Sequence, residues 1–182
     1  MSPHKFCVLA LCLGCSGVYA QESFGPTERL EIWRHARLQA TRNDHASVLA
    51  EFTTDGCSGG MSAAWETVST IFPNFALAHE QHPPWEACCV THDHAYHLGG
   101  ENDDPVASFE ARIAADQALK ICVIETSKLR SLDLQQQYDV SEQQVTWAYE
   151  RIAKGMYDAV RLGGAPCSGL PWRWGYGWPQ CW

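Results

Sequence analysis

Pro84-Trp85-Glu86-Ala87-Cys88-Cys89-Val90-Thr91-His92-Asp93-His94-Ala95-Tyr96-His97-Leu98, closed by Gly99-Gly100, is the stretch from which the fold is read. Proline suits the first turn of a helix and glycine its end, so this run predicts a helix of about four turns from Pro84 to Leu98. His92 and Tyr96 are four residues apart and share a face of it. Asp93 turns towards the loop side, one turn beyond Cys89.

A second helix is expected to begin near Pro105, after the acidic loop Glu101-Asn102-Asp103-Asp104, and to run to about Leu129. Ile113, Leu119, Ile121, Val123 and Ile124 supply its apolar surface. The short polar connection implies an antiparallel pair. On this helix Asp116 lies among apolar neighbours, where a buried acid needs a partner, and His92 can provide it. Cys88 lies roughly 6 Å down its helix from His92, and Cys122 roughly 9 Å along the other from Asp116. In an antiparallel pair both cysteines fall on the same side of the His-Asp contact, so a Cys88–Cys122 bridge and a His92–Asp116 hydrogen bond are compatible. Cys89 points about 100° further round and needs another partner. Cys57 is the natural choice, which leaves Cys167 for Cys181.

The rest of the chain reads as helices and loops around this pair. Thr27 to Ala40 places Leu30, Trp33, Ala36 and Ala40 at helical spacing, with Thr27 as N-cap. Ser141-Glu142-Gln143-Gln144 fits a capping box and opens a helix to Leu162 that Gly163-Gly164 closes. Thr53-Thr54-Asp55-Gly56-Cys57-Ser58-Gly59-Gly60 forms a tight polar loop, and residues 61–84 have no firm assignment. The expected fold is all-α: two long antiparallel disulfide-linked helices, further helices, and one domain over residues 21–182.

Residues 1–20 place Lys5 before the apolar run Phe6–Leu13 and end on Val18-Tyr19-Ala20, the pattern of a secretory signal peptide. Leu13-Gly14-Cys15 also loosely resembles a lipoprotein processing site, which leaves a lipid-anchored or periplasmic form open beside a secreted one. Three of the nine cysteines lie in this leader. The even number beyond it, in an exported chain, implies disulfides. Acidic side chains outnumber basic ones 21 to 13, a formal charge of −8, which argues against a nucleic-acid partner.

Cys-Cys-x-x-His-Asp-x-x-Tyr at 88–96, with Asp-Gly-Cys-Ser-Gly-Gly at 55–60 and Asp-x-x-x-x-x-Cys at 116–122, resembles the secreted phospholipase A2 superfamily. The resemblance covers residues 53–60 and 87–123. It implies a calcium-dependent hydrolase that attacks the sn-2 ester of glycerophospholipids at a membrane or micelle surface. Carried over, His92 is the base, Asp116 orients it, Tyr96 supports Asp116, and Asp93 is a calcium ligand. Asp55 and Gly56 resemble the bacterial and fungal calcium loops, and Ser58 and Gly60 could donate carbonyls as in the animal loop. The animal enzymes carry a paired cysteine at the positions of Ala95 and Ala115; here both halves of that bridge are absent together.

Two rival functions use other features. His92-x-His94-x-x-His97, with His79 and His82, suggests a zinc hydrolase, but residues two apart on a helix point about 200° from each other. A calcium- or receptor-binding module without turnover would keep the scaffold yet have no use for His92. The tail from Pro171 to Trp178, rich in Trp and Tyr, is suited either to a lipid surface or to packing over a small core.

Overall fold

The computed structural model describes residues 24–57, 83–101 and 103–182. Among them are four helices and no strand: α1 (Pro26–Arg42), α2 (Glu86–Leu98), α3 (Pro105–Tyr138) and α4 (Glu142–Gly163). The leader and residues 58–82, with Ser58, Gly60, His79 and His82, lie outside the described residues. The chain is all-α over the part described, and no described helix is long and apolar enough to cross a membrane.

Most helix ends have a local cause, and several differ from expectation. α1 is capped by Gly25, whose N–H donates to Glu28 Oε2 at 2.7 Å, so Pro26 takes the first helical position and Thr27 lies inside. At the start of α2 the chain makes tight bonds, Glu86 N to Pro83 O at 2.9 Å and Cys88 N to Trp85 O at 2.9 Å. Pro84 therefore belongs to a turn, and Trp85 is folded entirely into the interior. α3 passes Leu129 and continues to Tyr138, because Leu134 keeps an apolar partner in Val145 and Tyr149 of α4. It stops at Asp139, which adopts a left-handed conformation with φ 52°. α4 opens on the full capping box: Gln144 N–H donates to Ser141 Oγ at 3.3 Å, and Ser141 N–H donates to Gln144 Oε1 at 2.8 Å.

The main core lies between α2, α3 and α4, where Trp85, Leu119, Val123, Tyr149, Ala153 and Met156 are buried together. Burying a large apolar side chain contributes about 1.5–3 kcal/mol, so this cluster is the main source of cohesion. Three disulfides add to it: Cys57–Cys89, Cys88–Cys122 and Cys167–Cys181. Bridges of this kind typically contribute about 2–4 kcal/mol each.

α1 corrects the apolar pattern read from its sequence. Leu30 and Trp33 face outward, 52% and 55% exposed, whereas His35, Leu38 and Gln39 are buried. The polar face turns inward because Glu31 and His35 have charged and hydroxyl partners there, described below. Ile121 of α3 is likewise exposed, while Leu119 and Val123 carry the burial.

The tail after α4 packs rather than projects. Trp174 is buried and donates from Nε1 to Ser108 Oγ at 3.1 Å, and Trp178 Nε1 donates to Leu98 O at 2.9 Å. Gly175 N–H reaches Tyr96 O at 2.6 Å, immediately beside the end of α2. There Gly99 is left-handed with φ 71°, and a Cβ on it would meet Gly175 Cα at 2.8 Å, so both glycines permit the approach.

Candidate active site

His92 and Asp116 are brought together from α2 and α3, His92 Nε2–H donating to Asp116 Oδ1 at 2.9 Å. Tyr96, one turn along from His92, donates its hydroxyl to the same oxygen at 2.7 Å. With Nε2 engaged as donor, His92 Nδ1 is left with its lone pair, 3.8 Å from Asp93 Oδ1. Burial opposes the charged form of His92, but the hydrogen bond to Asp116 and the nearby charges of Asp116 and Asp93 outweigh it and raise its pKa above the ordinary value. Burial likewise raises the Tyr96 phenol well above its ordinary range, so Tyr96 stays a donor.

Two arginines that sequence reasoning missed stand behind the dyad. Asp116 is fully buried, and its second oxygen accepts from Arg161 Nη1 at 3.0 Å with Arg112 Nε 4.0 Å away. Arg112, also fully buried, donates to Tyr96 Oη at 3.0 Å, to the carbonyls of Val160 at 2.6 Å and Arg161 at 3.0 Å, and to Glu31 of α1. Arg161 completes the ring with bonds to both Glu31 oxygens at 3.1 and 2.9 Å. Two carboxylates and two guanidiniums thus offset one another in the interior, as buried charges must. One signal in the sequence points to Arg112: it precedes Asp116 by four residues on the face that also carries Leu119 and Val123. Glu31 and Arg161 come from distant helices, and no spacing links them.

His35 extends this network. Its Nδ1–H donates to Ser108 Oγ at 2.8 Å, and Ser108 in turn donates to Gly99 O at 3.2 Å. Burial pushes the Glu31 carboxyl up, but His35, Arg112 and Arg161 pull it down to about 2. His35 Nε2 is 3.8 Å from Glu31, beyond hydrogen-bond reach, so the guanidiniums carry most of that pull. Glu31 is therefore charged when folded at a pH where it would be protonated unfolded. Its contribution is complete above about 4.5 and is lost as pH falls towards about 2. Burial lowers His35, which acts in the same direction from its ordinary 6.5 downward. Discounted for partial exposure, Glu31 supplies on the order of 1–3 kcal/mol. Urea denaturation of wild type and Glu31→Gln at pH 7 and pH 3 is expected to show the wild-type advantage at pH 7 shrinking at pH 3; an advantage independent of pH would refute it.

Beside the dyad is a cleft whose lining includes the polar residues Asp55, Gly56, His92 and Asp93 and the apolar side chains Leu119, Met156, Val160 and Trp172. Thr54 Oγ1 donates to Asp93 Oδ2 at 2.5 Å, and Gly56 N–H donates to Thr54 Oγ1 at 3.0 Å, tying the 54–56 loop to the helix that carries His92. Gly56 is left-handed with φ 68°. The Cys57–Cys89 bridge anchors the same loop one turn from Asp93. Among the predicted site residues, the structure brings together His92, Tyr96 and Asp116, and places Asp93, Asp55 and Gly56 around one cleft. Ser58 and Gly60 lie outside the described residues.

The other two described histidines of α2 are accounted for without an ion. His94 is exposed and its ring lies against Phe52, centroids 5.2 Å apart. His97 is buried and donates from Nε2 to Ala50 O at 3.0 Å. Compared with models of known protein families, with curated proteins and with solved structures, the chain matches none.

Proposed function

We propose that the protein is an exported, calcium-dependent hydrolase of phospholipid esters, with sn-2 specificity of the phospholipase A2 kind. The observation that carries this is the buried His92 Nε2–Asp116 Oδ1 hydrogen bond at the edge of a cleft lined by both oxygen-bearing and apolar residues. In this reading His92 Nδ1 takes a proton from water as the water oxygen bonds to the ester carbonyl carbon. The imidazolium then returns the proton to the leaving alcohol oxygen. Asp116 holds the imidazole in the required tautomer and offsets its transient charge, and Tyr96 and Arg161 hold Asp116. The order of contacts between α2 and α3, Cys88 with Cys122, His92 with Asp116 and Gly99 with Ser108, supports the expected antiparallel pair.

The Asp93 and Asp55 carboxylates and the Gly56 carbonyl form a hard-oxygen donor set that suits calcium. A bound calcium would polarise the ester carbonyl and offset the charge that develops on its oxygen. The left-handed turn at Gly56 and the Thr54–Asp93 bond keep the loop against the catalytic helix and so favour that use of the loop. The apolar side chains of Leu119, Met156, Val160 and Trp172 among the cleft's lining suit acyl chains.

Three disulfides are compatible with an extracellular protein. The test is release of fatty acid from mixed phosphatidylcholine and phosphatidylglycerol vesicles carrying a label in the sn-2 chain. Release with calcium and its loss in excess chelator are expected. Calcium binding without hydrolysis of any ester would favour the non-catalytic module, and hydrolysis stimulated by zinc but indifferent to calcium would favour the zinc enzyme.

A further inference from the structure

The chain after α4 does more than cover the core: it is bonded to both halves of the proposed metal site. Gly175 and Gly177 donate their N–H groups to the carbonyls of Tyr96 and His97, at 2.6 and 3.1 Å, which fastens the tail to the end of α2. On its other side Gly177 O accepts from Ala50 N at 2.8 Å, so the same tail residue also holds the segment that leads into the loop. Between these fixed points Tyr176 reaches Thr53 and donates its hydroxyl to the carbonyl there at 2.7 Å. Its ring is supported edge-on by His97, centroids 5.3 Å apart. The Cys167–Cys181 bridge closes the tail around all of these contacts.

We propose that Tyr176 is a positioning residue for the metal-binding loop, its hydroxyl clamping the Thr53 carbonyl so that Asp55 and Gly56 are held facing Asp93. The proposal rests on the calcium reading of the site and assigns to the C-terminal tail a part in it. Thr53 immediately precedes Thr54, whose hydroxyl bonds Asp93, so the loop is held from both sides: through Thr53 by the tail and through Thr54 by α2. A phenol hydroxyl keeps its proton at neutral pH, so it serves the Thr53 carbonyl as a donor. Tyr176 does not line the cleft, which separates its role from contact with substrate.

Tyr176→Phe deletes only the hydroxyl and keeps the ring packed on His97, so the variant is expected to fold. Three measurements on the mature protein test it. Calcium titration by calorimetry is expected to show wild type binding the ion and Tyr176→Phe binding it about 3- to 10-fold more weakly, the range one neutral hydrogen bond gives. Hydrogen exchange without calcium is expected to show faster exchange across residues 54–57 in the variant, with exchange in α3 and α4 unchanged. At saturating calcium the variant should recover wild-type kcat, since the clamp sets how readily the loop is arranged and not the chemistry. Equal calcium affinity in the two proteins, or unaltered exchange across 54–57, would overturn the role of Tyr176 while leaving the metal site standing. Failure of wild type itself to bind calcium would overturn the metal reading and the clamp with it.

Discussion

His92→Gln is expected to lower calcium-dependent ester hydrolysis by about 10²–10⁴-fold, the usual worth of a general base, while calcium still binds. The glutamine amide can still donate to Asp116 Oδ1, the bond made by His92 Nε2, so the buried carboxylate keeps a partner and the fold is retained. What disappears is the lone pair at Nδ1. Asp93→Asn is expected to fail differently, because it removes the charged oxygen of the proposed metal site and leaves the base in place. Calcium affinity and hydrolysis should then fall together, and a large excess of calcium should restore part of the activity in this variant but not in His92→Gln. Asp55→Asn should raise the calcium requirement if its side chain is a ligand and change little if the Gly56 carbonyl suffices. Calcium titrations of binding and of vesicle hydrolysis on the three variants separate these roles. Full activity of His92→Gln with calcium present, or of wild type in excess chelator, would eliminate the mechanism.

The parts of the site that were legible in the sequence are those set by local spacing. His92 and Tyr96 lie one helical turn apart, and the side chains at both positions reach Asp116 because helix geometry puts them on one face. The positions of Cys88 and Cys122 relative to that contact are compatible with a bridge between them, Cys57 is the natural partner for Cys89, and the structure contains the three expected bridges. The order and approximate extent of the four described helices followed from proline, glycine and capping signals, although their ends shifted where a turn or a distant partner intervened. α3 outran its expected end because its last turns are supported by α4, which local periodicity does not register.

The inverted face of α1 shows the limit more sharply. Leu30 and Trp33 form an apolar stripe that in isolation should be buried, yet Glu31 and His35 turn inward because Arg112, Arg161 and Ser108 wait for them on α3 and α4. Nothing within α1 encodes that partnership. Tyr176 is a similar case. In sequence it is one aromatic among several in a tail suited to packing or to lipid, and only the fold brings its hydroxyl to Thr53.

The largest effect on stability is expected from Arg112. Its guanidinium is completely buried and serves four partners on three helices: Glu31 of α1, Tyr96 of α2, and the Val160 and Arg161 carbonyls near the end of α4. Near this helix end Val160 O already accepts from the Gly164 N–H, so Arg112 is its second donor, and Arg112 also supplies a donor to the Arg161 carbonyl. Arg112→Met would fill much of the same volume but leave Glu31 with half of its positive neighbours and the carbonyls with one donor fewer. Breaking a buried ion pair from one side typically costs about 3–5 kcal/mol, because the surviving charge stays buried. Arg161→Met should cost less, about 1–2 kcal/mol, since its side chain is 21% exposed and water can replace part of what it supplies. It also withdraws a direct bond from Asp116, so its loss of hydrolysis should exceed what its loss of stability explains. Urea unfolding followed by tryptophan fluorescence, with the disulfides intact, measures both. In the double variant Glu31→Gln with Arg112→Met the destabilisation should be smaller than the sum of the two single variants, since neither partner is then left charged and alone. An Arg112→Met variant within 1 kcal/mol of wild type would show that the buried charges are balanced by something other than this ring.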